Sequence, residues 1–169
     1  ILELKNKNIL EIGPGTGNLT EGILKKGPKK ILAIEKDDNL AKLLKEKFNF
    51  KIEIINKDIL KIDENSLSDQ TLTVFGNLPY NISTEIIFKM CSYNKIIDIH
   101  FMLQKEVVDR IIATRNMGNY GRLSVMTQAY FEVKKLFNIS EHVFYPKPKV
   151  KSAFILSLIH ISEPTRRTI

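Results

Sequence analysis

The sequence predicts an α/β fold, a mostly parallel sheet with helices on both faces. Short, β-branched apolar runs alternate with amphipathic helical stretches along the chain. In addition, the early runs each lead into a segment carrying glycines, an acid or an amide, and ligands of such sheets sit at the carboxyl ends of the strands.

Lys7–Ile12 reads as the first strand, followed directly by Gly13-Pro14-Gly15-Thr16-Gly17 and then a helical pattern of Leu19, Ile23 and Leu24. Strand, glycine loop and helix open a nucleotide-binding unit. A dinucleotide fingerprint would place its next glycine where Asn18 stands, which argues against NAD. Gly13, Gly15 and Gly17 are candidate cofactor contacts, since glycine lets the backbone approach a ligand closely and tolerates positive φ; a purely structural turn is the alternative. Lys30–Glu35 is a second strand ending in a carboxylate, and Asp38–Phe48 follows as a helix with Leu40, Leu43, Leu44 and Phe48 inward. Glu35, with Lys36 beside it, lies where a strand-end acid accepts from both ribose hydroxyls of an adenosine-containing cofactor. Lys51–Ile55 is the third strand; just beyond it, Asp58 is placed to accept from an adenine amine and Ile59 to pack against the ring. Asp63–Gln70 reads as a polar loop.

The buried run Thr71–Phe75 delivers Asn77-Leu78-Pro79-Tyr80 just past a strand end, because Pro79 cannot extend a ladder. Ser83 or Thr84 caps the helix that follows, with Ile86, Ile87 and Met90 at helical spacing. Ile96–Leu103 is a fifth strand and Lys105–Thr114 a helix burying Val107, Val108, Ile111 and Ile112. Arg115–Arg122, with two glycines and two arginines, is a surface loop. Leu123–Tyr130 looks helical and Glu132–Ile139 extended; Phe144–Lys151 alternates proline with lysine, and Ser152–Leu158 is a last strand.

The 169 residues fit one domain with one core. A hydrophobic content of 43% with 27% charged residues is ordinary for a globular protein, and no apolar run approaches a membrane span. Nor does Ile1–Lys5 read as a signal peptide, and the missing initiator Met reads as a fragment. The single cysteine, Cys91, excludes an intramolecular disulfide and reads as a small core residue; His100, His142 and His160 are too scattered for a metal site. A net charge of +7 and a pI near 9.4 favour a polyanionic partner. Arg115, Arg122, Lys147 and Lys149 are the candidate RNA-binding residues.

A cofactor held by glycine backbone, a ribose acid and an adenine acid, with no Walker lysine, suits S-adenosylmethionine and a Rossmann-like methyltransferase fold. Asn77 and the Leu78 carbonyl are placed to accept the hydrogens of an adenine amine, with Pro79 fixing the turn and Tyr80 offering a stacking face. Phe144 supplies the opposite face, a core position being the alternative.

Leu10–Thr20, Val74–Thr84, Met102–Val107, Tyr120–Val125 and Val143–Val150 together resemble the KsgA-type ribosomal RNA adenine dimethyltransferases. The resemblance runs from about Lys7 to Leu158. It implies dimethylation of the N6 amines of two adjacent adenosines near the 3′ end of small-subunit ribosomal RNA during ribosome biogenesis. By position, Gly13, Glu35, Asp58 and Asn77 look like its cofactor contacts, Asn77–Tyr80 its target pocket and Phe144 the other wall. It implies a cytoplasmic or organellar monomer whose partner is the small ribosomal subunit. Residues 1–158 are then the catalytic domain and 159–169 a tail of doubtful origin. The family's amino-terminal Gln-Asn-Phe-Leu segment and carboxyl-terminal helical domain are missing, which predicts weak cofactor binding and slow methylation. Three other readings stay open at this point: a resistance enzyme acting on large-subunit RNA, a non-catalytic assembly or organellar transcription factor, and a small-molecule methyltransferase. Leu78, where resistance enzymes usually carry Ile, and Tyr120–Ser124 favour the small-subunit reading.

Overall fold

A computed structural model of the chain describes residues 2–139 and 153–160. They divide into two compact units, the first running up to Asn77 with Lys95–Ile97 added, the second holding Leu78–Asn94 and the chain from Asp98 on.

The first unit contains β1 (Asn8–Ile12), α1 (Asn18–Leu24), β2 (Lys30–Ile34), α2 (Asp38–Phe48), β3 (Glu53–Ile55) and β4 (Leu72–Asn77). Its strands lie in the order β3-β2-β1-β4, all parallel. Four consecutive residues are buried at the end of β1 and again at the end of β2. Since neighbouring side chains of a strand point to opposite faces, both faces are covered, and this is why these strands read as continuous apolar runs. On one face Ile9, Ile31 and Ala33 pack with Ile23 of α1 and with Leu44 and Phe48 of α2. Fully burying an aliphatic side chain of this size contributes about 1.5–3 kcal/mol.

Register positions the ligand edge. Ile12 pairs with Ile34 on one side and Gly76 on the other, and Ile34 pairs with Ile55. These paired positions lie level, so the next residues, Gly13, Glu35, Asn56 and, still within β4, Asn77, fall along one edge.

Several sequence expectations need correction here. The third strand spans only Glu53–Ile55, because α2 ends at Asn49 in a left-handed conformation and Lys51 still donates back to the Phe48 carbonyl. Leu43 is exposed rather than inward: Ala41, Leu44 and Phe48 set the buried stripe, and at about 100° per residue Leu43 falls on the far side of the helix. Asn77 is the last residue of β4 rather than a residue beyond it. A short 3₁₀ turn at Ile59–Lys61 precedes the polar loop, a second at Glu64–Ser66 lies within it, and Leu67 within it is buried.

The second unit contains α3 (Ser83–Ser92), β5 (Ile96–Gln104, starting within the first unit), α4 (Lys105–Ile112), α5 (Arg122–Tyr130), β6 (Phe131–Ile139) and β7 (Ala153–His160). β7 pairs antiparallel with both β5 and β6. β7 continues to His160, two residues past the expected end of the catalytic domain. Cys91 is buried on α3. Ile112 is half exposed at the edge of the α4 stripe set by Val107, Val108 and Ile111, again contrary to expectation. Ser83 does not cap α3. It is the first helical residue, and its hydroxyl donates to the Tyr80 carbonyl at 3.4 Å.

Candidate active site

The glycine loop is built by its neighbours. Gly13 N–H still donates to the Ile34 carbonyl at 2.9 Å as the chain leaves β1, and Gly17 N–H closes the turn onto the Pro14 carbonyl at 2.9 Å. Gly17 adopts φ 85°, and a Cβ there would lie 2.5 Å from Phe48 Cε2, so only glycine fits beneath that ring.

Glu35 sits at the crossing point. Its Oε2 accepts the Gly15 N–H at 3.1 Å, and its Oε1 accepts the Asp37 N–H at 2.9 Å. Its own carbonyl accepts from Asn56 Nδ2 at 3.0 Å. Each carboxylate oxygen keeps a further acceptor site, as a diol ligand requires. Beside it, Asp58 caps the first 3₁₀ turn by accepting the Leu60 N–H at 3.0 Å and pairs with Lys36 Nζ at 3.1 Å. These two interactions, in that order, hold its carboxyl below the usual carboxylate range. Lys36 thus serves Asp58, and Ile59 is buried immediately after it.

A cavity of about 220 Å³ opens at the strand ends, lined by Glu11, the loop from Gly13 to Thr16, Asn18, Leu19 and Asn77. It gathers Gly13, Gly15 and Asn77 from the sequence candidates; Gly17, Glu35, Asp58 and Ile59 do not line it.

Glu11 is the residue that sequence reasoning missed. It is buried, its Oε2 accepts from Thr20 Oγ1 at 2.7 Å, and its Oε1 has no partner among the described residues. Burial pushes its carboxyl up to about 7, partly offset by the Thr20 bond. An acid inside the apolar run Leu10-Glu11-Ile12 was the available signal. An unpaired oxygen of a buried carboxylate at a cavity wall suits a cationic ligand group.

In the second unit, Leu78 is buried and its N–H donates to the Met102 carbonyl at 3.3 Å, while Ile82 N–H closes a turn onto the Pro79 carbonyl at 3.3 Å. Tyr80 remains half exposed. Arg122 is not in the loop as expected but opens α5, its guanidinium 5.1 Å above the Phe88 ring. Arg115 is exposed in the loop after α4, whose end is held by Gln128, which donates to the Ile111 and Ala113 carbonyls at 2.7 and 2.9 Å. Phe144, Lys147 and Lys149 lie outside the described residues.

The parallel strands, the glycine loop after β1 and the acid after β2 define a Rossmann-like methyltransferase fold. The chain belongs to the ribosomal RNA adenine dimethylase family, whose profile matches residues 2–167. It is 54% identical over 160 residues to "Ribosomal RNA small subunit methyltransferase A" of Pelagibacter ubique, covering 92% of this chain and 61% of that protein. The protein of the same name in Pseudomonas aeruginosa is 47% identical over 165 residues, covering 95% and 61% respectively. The chain thus spans about 61% of the length of these relatives. Among solved structures, a dimethyladenosine transferase from Plasmodium falciparum superposes with a TM-score of 0.83 at 29% identity, over 99% of this chain and 61% of that one. The 23S rRNA methyltransferase ErmE superposes at 0.78 with 31% identity, over 96% and 65%.

Proposed function

We propose that this chain carries the catalytic part of a cytoplasmic enzyme of ribosome biogenesis. Its activity is dimethylation of the N6 amines of two adjacent adenosines near the 3′ end of small-subunit ribosomal RNA, with S-adenosyl-L-methionine as donor. The observation that carries this reading is the level register of β1, β2 and β4, which sets Gly13, Glu35 and Asn77 on one edge beside the buried, open oxygen of Glu11.

The glycine cradle and the three acids fit such a cofactor. Glu35 would bind its ribose, Asp58 and Ile59 its adenine, and Glu11 the ammonium of its methionine end. When bound, the cofactor supplies an electrophilic methyl group on a sulfonium. The adenine amine attacks poorly because its lone pair is delocalised into the ring. Asn77 Oδ1 and the Leu78 carbonyl accept the two amine hydrogens, draw them out of the ring plane and stabilise positive charge developing on nitrogen. Tyr80 stacks on the extruded base, a contact of about 1–3 kcal/mol, with Phe144 on the other face. No strong base is needed, because the proton leaves to solvent after transfer. Arg115, Arg122, Lys147 and Lys149 contact RNA phosphates, and the chain acts as a monomer on the small subunit. Among the described residues, no helix is long and apolar enough to cross a membrane.

The likeness to ErmE supports a second reading, methylation of large-subunit RNA. Leu78, the Tyr120–Ser124 stretch and the small-subunit names of the two relatives favour the first. Incubating the chain with labelled cofactor and a mixture of unmethylated small and large subunits separates them. Label in small-subunit RNA that disappears with Asn77→Ala is the expected result, and label in large-subunit RNA would reverse the assignment.

A further inference from the structure

We infer that Lys47 is a positioning residue for the cofactor site, clamping the glycine loop from the end of α2. Its Nζ donates to the Thr16 carbonyl at 2.9 Å across 31 positions of sequence and pairs with Glu21 Oε1 of α1 at 2.8 Å. Thr16 itself lines the cavity, so this bond acts directly on the cavity wall. The inference rests on the cofactor reading above.

The loop needs an outside tether. Gly13, Gly15 and Gly17 adopt φ of 65°, 58° and 85°, and glycine has the widest choice of backbone conformations, so no side chain in the loop holds these angles. The Thr16–Gly17 peptide is nevertheless fixed from both sides. Its carbonyl is taken by Lys47, and its N–H by the Pro14 carbonyl. The next residue of α2, Phe48, lies over Gly17 so closely that a Cβ could not be inserted. The last turn of α2 therefore grips the loop twice, through an ammonium and through a ring, and Glu21 holds that ammonium in place. A partly exposed ion pair contributes little to global stability. What its loss releases is the preorganisation of the loop, and binding then has to supply the ordering.

The test compares wild type, Lys47→Met, which keeps the aliphatic stem, and Lys47→Arg, which keeps the donors. Calorimetric titration with S-adenosylhomocysteine and thermal melting are read together. We expect about tenfold weaker binding for Lys47→Met, equivalent to a coupling within the range of contacting residues. Lys47→Arg should lie near wild type and melting temperatures should be nearly unchanged. In turnover with RNA, KM for the cofactor should rise while KM for RNA stays constant. Wild-type affinity in Lys47→Met would overturn the inference, as would failure of Lys47→Arg to restore binding. If Lys47→Met does not fold, Glu21→Gln, which leaves the donor but loosens its hold, should weaken binding about threefold; no change would be equally fatal. A wild-type chain that binds no S-adenosylhomocysteine at all would instead defeat the cofactor reading, and the clamp with it.

Discussion

Glu35 holds the glycine loop as well as facing the ligand edge: it accepts the Gly15 N–H at 3.1 Å across twenty positions of sequence. One carboxylate thus ties the end of β2 to the turn after β1. Glu35→Gln puts an amide donor against a backbone donor at one of its two bonds, Gly15 or Asp37. Losing a hydrogen bond to a charged group costs about 1.5–3 kcal/mol, so cofactor binding should weaken roughly ten- to a hundredfold, measurable by calorimetry. Undiminished affinity would show that the acid serves the loop alone.

Gly17→Ala should be costly for two independent reasons. It places a Cβ at positive φ, worth about 1–2 kcal/mol, and drives it into the Phe48 ring, with overpacking typically costing about 1–3 kcal/mol. Urea unfolding should show a loss of about 2–5 kcal/mol. Pairing it with Phe48→Leu should give less than the sum of the two single losses, because the smaller side chain removes the clash.

Strand ends were legible from sequence because parallel strands buried on both faces read as unbroken apolar runs that stop abruptly, which located Gly13, Glu35 and Asn77. Residues acting through tertiary proximity were not. Glu11 sits within an apolar run, and only the packing of Thr20 shows that it points to a cavity rather than to solvent. Lys47 meets Thr16 across two intervening elements, with nothing local to mark it among the other lysines of α2. Leu43 and Ile112 were misread because hydrophobicity was counted before helical angle. The antiparallel pairing of β7 was also unmarked, since an apolar strand carries no sign of its partner's direction.

Glu11 makes stability depend on pH in a direction opposite to most carboxylates. Its folded-state value of about 7 lies above the ordinary 4.5, so the folded chain binds more protons than the unfolded chain between those values. Stability should be highest below about 4.5 as far as this group is concerned, fall as pH rises towards 7, and level off above it. The shift corresponds to a few kcal/mol, on the order of 3. Melting curves from pH 5 to 8 should show this slope in wild type and a shallower one in Glu11→Gln. If Glu11 binds an ammonium, cofactor affinity should rise through the same window in wild type, since only the ionised acid pairs with a cation.

Asn77 ends β4, and its position at the cavity follows from Ile12 pairing with Gly76 one residue earlier. The ladder fixes the Asn77 backbone at the cavity wall, and an amide there offers an acceptor to positive charge as it develops. Asn77→Ala leaves the ladder intact but removes the acceptor, so the chain should still fold and melt near wild type. By analogy with removing one preorganised polar group from a transition-state site, kcat should fall about a hundredfold or more. Asn77→Asp keeps an oxygen acceptor and adds charge beside Glu11, which should push the Glu11 carboxyl higher still. Partial activity in Asn77→Asp that declines at acid pH, with almost none in Asn77→Ala, would identify the carbonyl oxygen as the group that matters. Equal activity in both variants would assign Asn77 to cofactor binding alone.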